Sequence, residues 1–261
     1  MTHSPSYRRI LHRMGYYDYQ QGLIVNYMNQ GEGWLSHQKK CRDFILNAID
    51  FFLPEKITVL GSGWLLELPL LEMSEKADEI ILVDIIHPPE VITQTAGIKH
   101  LKLIEDDITG GLVEKVWKWA GKGTILNRKS FPEMINIPYY HLEDPGMVIS
   151  LNVLTQLETL PLRILEKKAV KDKEKIFSFR KRIQDKHICF LKQHKSVLIS
   201  DTKEIFMDSA GETTEERTML TRLPQCLREE TWTWDLDLKG SNFNRKKSVM
   251  DVIAAIFDHN G

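Results

Sequence analysis

The segment Lys56-Ile-Thr-Val-Leu-Gly61-Ser-Gly63-Trp-Leu-Leu-Glu67, followed by Glu79-Ile-Ile-Leu-Val-Asp84, decides the fold of this chain. An apolar, β-branched run that ends in a Gly-x-Gly turn and continues as a helix is typical of a strand, a ligand-binding turn and a helix. The second run ends on Asp84, 23 residues after Gly61. In nucleotide-binding α/β units an acidic side chain meets ribose hydroxyls at about 20 residues from the turn. The segment therefore predicts the first half of such a unit.

The length and composition indicate an ordinary globular protein. The chain has 261 residues, of which 42% are hydrophobic and 27% charged, enough for one large α/β domain with an elaboration. The net charge of −1 argues against a polyanion-binding protein, although residues 163–195 hold 12 Lys and Arg against 4 Asp and Glu. No apolar run approaches the length that spans a bilayer, and no signal peptide is evident.

Three cysteines lie far apart and outside any CxxC pair, so they indicate neither a disulfide scaffold nor a zinc site. We therefore expect no metal and a reducing, cytoplasmic environment. The cysteines are Cys41, Cys189 and Cys226.

The region before the first strand predicts a helical extension. Residues 1–33 are aromatic and polar in alternation, which suggests short helices and loops. From Ser36 to Phe52 the apolar residues recur at helical spacing, and Pro54 ends the pattern. We expect an N-terminal helical cap over residues 1–55 and a nucleotide-binding core over residues 56–261.

The rest of the chain alternates strands and helices. Further strands are predicted at 101–104, 146–152, 195–201, 231–236 and 248–257, the last two as an antiparallel hairpin. Between them we expect a helix at 64–76, one long basic helix at 162–194 and an acidic, helix-compatible stretch at 212–220. The pattern predicts an α/β fold with a doubly wound, mostly parallel, seven-stranded sheet.

The glycine turn excludes two common nucleotide sites. A dinucleotide site needs GxGxxG, but Leu66 occupies the sixth position. A P-loop needs GxxxxGK[ST], which does not follow the strand. What remains is a turn whose backbone approaches a ligand closely without holding two phosphates.

With these exclusions the chain resembles the class I S-adenosylmethionine-dependent methyltransferases over most of residues 56–257. Val59-Leu-Gly61-Ser-Gly63 is similar to their first motif, and Ser150-Leu-Asn152 to their fourth. The resemblance implies S-adenosylmethionine as cofactor. It implies cofactor contacts from residues of the turn and of three later strand ends, namely Gly61, Ser62, Gly63, Asp84, Ile85, Asp107, Ile108 and Asn152.

Two positions depart from the family pattern. Val59 stands where the family often has an acidic residue, and Leu65 stands where it has a third alternate glycine. Glu67 is a candidate to replace the missing carboxylate by reaching back from the helix.

The acceptor side offers weaker signals, and no catalytic residue is predicted. Methyl transfer from a sulfonium needs mainly positioning and desolvation of the two reactants. Tyr16, Trp34 and His37 are the candidate substrate-binding residues, with His37 also a candidate base near neutral pH. For each of them taken alone, a purely structural role is the stronger explanation. Further candidates for the same wall or for the base are Tyr17, Tyr139, Tyr140 and His141.

Three functions are consistent with these observations. The first is a methyltransferase acting on a small molecule beneath the N-terminal cap. The second is an RNA methyltransferase that uses the basic segment at 163–195, although its interspersed acidic residues and apolar stripe favour an ordinary surface helix. The third is a non-catalytic protein that keeps the fold as a scaffold. No membrane partner is predicted, and the sequence makes no prediction of oligomeric state.

Overall fold

A mixed sheet of eight strands forms the centre of the computed structural model, which describes residues 3–121, 135–169, 171–240 and 246–258. The first five strands are the predicted ones; the first four differ only slightly at their ends, and the fifth is six residues longer at its C-terminal end. In chain order the strands are β1 (Lys56–Leu60), β2 (Glu79–Asp84), β3 (Leu101–Glu105), β4 (Met147–Leu151), β5 (Ser196–Met207), β6 (Thr213–Arg217), β7 (Arg228–Asp237) and β8 (Lys247–Phe257).

The order of the strands is β3-β2-β1-β4-β5-β8-β7, with β6 paired to β5 outside this path. The pairs that join β3, β2, β1, β4 and β5 are parallel, whereas β8 pairs antiparallel with both β5 and β7. The chain thus winds outward from β1 in both directions, which confirms the doubly wound, mostly parallel fold class and the C-terminal antiparallel pair. In such sheets ligands bind outside the carboxyl ends of the strands, where the winding direction reverses.

Two expectations about the sheet were wrong. It has eight strands among the described residues instead of seven, and the acidic stretch at 212–220 forms strand β6 and not a helix. The cause is β5, which continues past Asp201 to Met207 and offers residues 203–207 as a pairing edge. Lys203 lies 3.2 Å from the Glu215 carboxylate across this pair of strands. The attraction between these opposite charges favours the pairing of β5 with β6.

Helices cover both faces of the sheet. They are α1 (Pro5–Met14), α2 (Tyr16–Gln30), α3 (Glu32–Phe52), α4 (Leu70–Lys76), α5 (Pro89–Thr95), α6 (Leu112–Gly121), α7 (Thr159–Lys168) and α8 (Lys173–Leu191). One buried cluster joins β1, β4 and β5 to α1, α6, α7 and α8, and the other joins them to α3 and α4. Because successive side chains of a strand point to opposite faces, Val59 enters the second cluster and Leu60 the first.

The N-terminal region is more regular than expected. Two helices fill residues 5–30, separated by Gly15 in the left-handed conformation (φ 91°), and α3 begins at Glu32 instead of Ser36. Trp34 of α3 packs edge-on against Trp234 of β7, with ring centroids 4.7 Å apart. The division of the chain at residue 55 stays a prediction.

Two helices differ from their predicted extents. The helix after the glycine turn begins only at Leu70, because Leu65 has a positive φ of 63° and Pro69 is the residue that precedes the helix. The basic segment forms α7 and α8 instead of one helix, and the Asp172 side chain caps α8 by accepting a hydrogen bond from the Lys175 backbone N–H at 3.1 Å.

Two predicted segments lie partly outside the described residues. Residues 122–134 of the loop-rich segment and residues 241–245 of the last turn lie outside the described residues, and residues 135–146 contain no helix or strand. No helix in the described ranges is long and apolar enough to cross a membrane. The described residues contain no group of three metal-binding side chains. The cytoplasmic location stays a prediction.

Candidate functional site

A cavity of about 1030 Å³, part of it open to solvent, lies at the carboxyl ends of β1, β2 and β4. This is the position at which open α/β sheets bind ligands. All eight residues predicted to contact a cofactor line it, namely Gly61, Ser62, Gly63, Asp84, Ile85, Asp107, Ile108 and Asn152. The sheet therefore brings together residues that are up to 91 positions apart in the sequence.

The glycine turn forms the floor of the cavity. Gly61 has φ 78°, and a Cβ atom there would lie 2.7 Å from the Cβ of Val153 and 2.9 Å from the carbonyl oxygen of Leu151. Gly63 also has a positive φ, of 51°, but nothing lies closer to its virtual Cβ than the Gly61 carbonyl oxygen at 4.0 Å. Gly61 is thus required by both conformation and close packing, and Gly63 by conformation alone.

Leu65 occupies a left-handed backbone conformation at the position of the family's third glycine. Its φ is 63°, which is costly for a residue with a side chain. Its side chain is 8% exposed and belongs to the cluster that packs against α3. The turn therefore keeps the backbone shape that a glycine would favour, and uses the side chain for packing.

Asp84 ties the end of β2 to the glycine turn. One carboxylate oxygen accepts a hydrogen bond from the Gly63 N–H at 2.8 Å, and the other accepts one from the Ile85 N–H at 2.7 Å. The amide of Gln20 on α2 donates to the second oxygen at 3.4 Å. Burial raises the pKa of Asp84, and the hydrogen bonds from these backbone N–H groups oppose that rise.

Asp107 already has protein partners for both of its oxygens. It accepts hydrogen bonds from the backbone N–H and the hydroxyl of Thr109, from the backbone N–H of Val113, and from the Tyr7 hydroxyl at 3.1 Å. These bonds fix the turn into α6 and attach α1 to the rim of the site. A structural role for Asp107 is therefore visible in the contacts, beside the predicted role at a cofactor.

Asn152 ends β4 with an unusual backbone. Its φ is 50°, a left-handed conformation that asparagine tolerates better than most residues. Its backbone N–H donates to the Ile199 carbonyl at 2.8 Å, and its own carbonyl accepts from the Gln156 side chain at 2.5 Å. The side chain carries one polar atom 3.1 Å from His37 and a second without a partner among the described residues.

His37 lies behind the cavity wall instead of on it. Its Nδ1 is 3.0 Å from the indole nitrogen of Trp232, and its ring stacks on Trp234 with centroids 4.0 Å apart. Burial lowers the pKa of His37 to about 3. Such an imidazole is neutral near pH 7, and both of its nitrogens have polar neighbours, Trp232 and Asn152. His37 therefore acts on the cavity only through the lining residues Asn152 and Trp234, which it contacts.

The N-terminal helix α2 covers the cavity. Tyr16, Tyr19, Gln20 and Leu23 line it from above, and the Trp64 indole N–H donates to the Gln20 carbonyl at 2.9 Å. Two predicted acceptor-side residues, Tyr16 and Trp34, therefore lie on the wall. The other aromatic and histidine candidates, Tyr17, Tyr139, Tyr140 and His141, are not among its lining residues.

Sequence reasoning missed seven polar or aromatic residues of the wall: Tyr19, Gln20, Trp64, Thr109, Gln156, Thr159 and Trp234. Tyr19 lies in the aromatic and polar segment 1–33 and Trp234 in the strand predicted at 231–236, but neither belongs to a recognisable motif. The other missed residues lie in helices, turns and loops, where no local sequence pattern indicates which side chains line a cavity.

Glu67, the candidate substitute for the missing carboxylate, also lines the cavity. Burial raises its pKa to about 7, opposed by the nearby Arg42 guanidinium. A carboxyl group with such a pKa is partly ionised near neutral pH. It therefore offers either a charge or a proton to a ligand.

Several polar atoms of the wall residues have no hydrogen-bond partner among the described residues. They are Gln20 Oε1, Ser62 Oγ, Asn152 Oδ1 and Trp234 Nε1, all buried. An unpaired buried polar atom costs about 1–3 kcal/mol, so natural proteins keep few of them. Their concentration around one cavity fits a site built for a polar ligand.

Comparisons with known proteins give structural neighbours at low identity. No protein-family model matches the sequence, and no curated protein sequence matches it. Among solved structures, 1,6-didemethyltoxoflavin-N1-methyltransferase of Burkholderia thailandensis, with 1,6-didemethyltoxoflavin and S-adenosylhomocysteine bound, is 8% identical over 99% of this chain and 92% of that chain (TM-score 0.42). The N-methyltransferase NodS of Bradyrhizobium japonicum WM9, in complex with S-adenosylhomocysteine, is 9% identical over 84% and 86% (TM-score 0.36).

A third neighbour is CalS10 of Micromonospora echinaspora, an amino pentose methyltransferase with bound S-adenosylmethionine. It is 10% identical over 88% of this chain and 95% of that chain, with a TM-score of 0.30. At these identities and TM-scores, the neighbours carry no argument about the function of this chain.

Proposed function

We propose that the chain is an S-adenosylmethionine-dependent methyltransferase that acts on a small molecule. One observation carries the proposal. The glycine turn after β1 and the polar ends of β2, β3 and β4 converge on a single cavity at the point where the sheet reverses its winding.

The residues present fit such a cofactor. Asp84 would accept hydrogen bonds from ribose hydroxyls, for which it has the acceptor chemistry and the position at the end of β2. Gly61 and Gly63 would let the backbone approach the ligand, and Ile85 and Ile108 would provide apolar contacts beside the base. The unpaired hydroxyl of Ser62, which also lines the cavity, would be available for a further polar contact.

The bound cofactor would supply an electrophilic methyl group on a sulfonium, which transfers by in-line displacement. The protein's contribution is then to hold the acceptor in line and to exclude water. Tyr16, Tyr19 and Leu23 on α2, with Trp34, form an apolar cover suited to exclusion of water. Glu67 is the wall residue with a pKa, about 7, that suits proton transfer near neutral pH.

The cover also favours a small acceptor over RNA. Helix α2 lines the cavity and is joined to the residues around the glycine turn by the Trp64–Gln20 and Gln20–Asp84 hydrogen bonds. Several cations of α8 are paired with acids, among them Arg180 with Glu158 at 3.2 Å and Lys181 with Asp185 at 2.7 Å. Cations that are already paired are poor ligands for phosphates. An RNA acceptor and a non-catalytic scaffold remain as alternatives.

Calorimetry with S-adenosylhomocysteine tests the proposal. We expect the wild-type protein to bind one equivalent and Asp84→Asn to bind at least about tenfold more weakly, because a carboxylate that accepts from hydroxyls is lost. Asp78→Asn is the matched control, since Asp78 is an exposed residue ahead of β2. No binding by the wild-type protein at millimolar ligand would contradict the proposal.

A further inference from the structure

The residues behind Asn152 determine which end of its carboxamide points toward His37 and which end is left for a ligand. The indole N–H of Trp232 is a donor only, and it lies 3.0 Å from His37 Nδ1. His37 Nδ1 must therefore accept this hydrogen bond. In a neutral imidazole the single proton then resides on the other nitrogen, Nε2.

The neutral form of His37 is the one that the surroundings favour. The residue is fully buried, and burial lowers the pKa of His37 to about 3. The titratable group packed beside it is Cys41, whose Sγ lies 3.5 Å from Nε2. Burial raises the pKa of this thiol, so Cys41 is uncharged and does not stabilise an imidazolium. Trp234 stacks on the imidazole at an interplanar angle of 6° and holds its plane.

The atom of Asn152 that faces His37 must then be an acceptor. The contact joins His37 Nε2 to a polar atom of the Asn152 carboxamide at 3.1 Å. Two N–H groups cannot bond to each other, and the oxygen and nitrogen of a carboxamide exchange places by a half-turn. The orientation with the oxygen toward His37 satisfies Nε2–H. It also gives a partner to the one side-chain oxygen of Asn152 that otherwise has none.

We propose that Trp232 and His37 form a relay that orients the carboxamide of the cavity-lining residue Asn152, with its oxygen toward His37 and its NH₂ group turned away as the hydrogen-bond donor left for a ligand. Asn152 therefore recognises a ligand group with lone pairs, such as a carboxylate, carbonyl or hydroxyl oxygen, and not an ammonium group. His37 is a positioning residue in this arrangement, because it acts on the ligand through Asn152.

Nuclear magnetic resonance of the free protein with ¹⁵N-labelled histidine tests the relay without any ligand. Long-range proton–nitrogen correlations distinguish a protonated from an unprotonated ring nitrogen, and His37→Gln identifies the His37 signals by their loss. We expect the proton on Nε2 throughout the pH range in which the protein is folded and His37 is neutral. A proton on Nδ1 would overturn the proposal.

Trp232→Phe removes the donor and keeps an aromatic ring. We expect the Nδ1-protonated form of His37 to become detectable in this variant, because nothing then requires Nδ1 to accept. An unchanged spectrum would show that Trp232 does not set the tautomer, and would overturn its place in the relay.

Asn152→Asp tests the donor toward the ligand, and this arm rests on the proposed function. Aspartate also tolerates the left-handed backbone and still accepts from His37, but it presents an oxygen to the cavity where the amide presents N–H. We expect S-adenosylhomocysteine to bind about tenfold more weakly, with Asn47→Asp, an exposed position of α3, as the charge-matched control. Equal or tighter binding would refute the donor assignment. If the wild-type protein does not bind this ligand, the proposed function fails, while the histidine spectra still decide the orientation.

Discussion

Replacing Gly61 by alanine should destabilise the protein more than replacing Gly63, although both residues have a positive φ. An alanine in the left-handed region costs about 1–2 kcal/mol at either position. At Gly61 the new Cβ would also lie 2.7 Å from Val153 and 2.9 Å from Leu151, contacts that force neighbouring backbone to move. Overpacking of this kind costs a further ~1–3 kcal/mol.

We therefore expect Gly61→Ala to lower the free energy of unfolding by about 2–5 kcal/mol and Gly63→Ala by about 1–2 kcal/mol. Urea unfolding of the free protein, followed by tryptophan fluorescence, measures both. Gly97→Ala is the control, because no atom lies within 4 Å of its virtual Cβ and its φ is not in the left-handed region. Its unfolding free energy should stay within about 0.5 kcal/mol of the wild type.

Equal losses at Gly61 and Gly63 would refute the reasoning. That result would mean that the close approach of Val153 and the Leu151 carbonyl does not constrain the turn. The floor of the cavity would then depend on backbone conformation alone.

Three further changes test the electrostatics and packing around the site. Burial raises the pKa of Glu158 to about 7 from the ordinary 4.5, so its ionisation opposes folding. Urea unfolding across a pH series should show the stability of the wild type falling relative to that of Glu158→Gln, by up to about 3 kcal/mol as the pH rises from 4.5 to 7. Parallel stability curves for the two proteins would contradict this. Tyr7→Phe removes the hydroxyl that donates to Asp107. We expect the free energy of unfolding to fall by about 1–2 kcal/mol and backbone hydrogen exchange in α1 to become faster. Unchanged exchange would show that this hydrogen bond does not hold the helix in place. Leu65→Gly relieves about 1 kcal/mol of backbone strain but loses the packing of a buried leucine. We therefore expect urea unfolding to show a net decrease of about 1–3 kcal/mol in the free energy of unfolding. An increase would show that the strain outweighs the packing.

The fold was largely predictable because its parallel strands are continuous apolar runs. β1, β2 and β4 are buried on both faces and end in a glycine turn, an aspartate and an asparagine respectively. The carboxyl ends of adjacent parallel strands lie at one edge of a sheet, so the residues that follow them were expected to meet. The structure brings all of these predicted residues to one cavity.

Strand β6 could not be predicted from local pattern. All five of its residues are exposed, so it has no hydrophobic alternation, and its acidic composition suits a helix equally well. Its conformation is decided by pairing with residues 203–207 of β5. These residues lie beyond Asp201, where the sequence predicted that β5 ends. Tertiary pairing thus overrides a weak local preference.

The positioning of Asn152 was also beyond sequence reasoning. His37 was identified as a candidate, but its partners Trp232 and Trp234 come from a strand 195 or more residues later. The position of the proton on the His37 ring follows only from the Trp232 N–H that faces Nδ1. The sequence indicated residues of the site, whereas their hydrogen-bonding roles depend on contacts between distant elements.

The most direct test of the central claim is a crystal structure of the protein with S-adenosylhomocysteine. We predict electron density for the ligand in the cavity between the Gly61–Gly63 turn and α2, with its ribose hydroxyls within hydrogen-bond distance of the Asp84 carboxylate. Density for the ligand at a different surface, or a ribose that does not contact Asp84, would contradict the assignment of this cavity as the cofactor site.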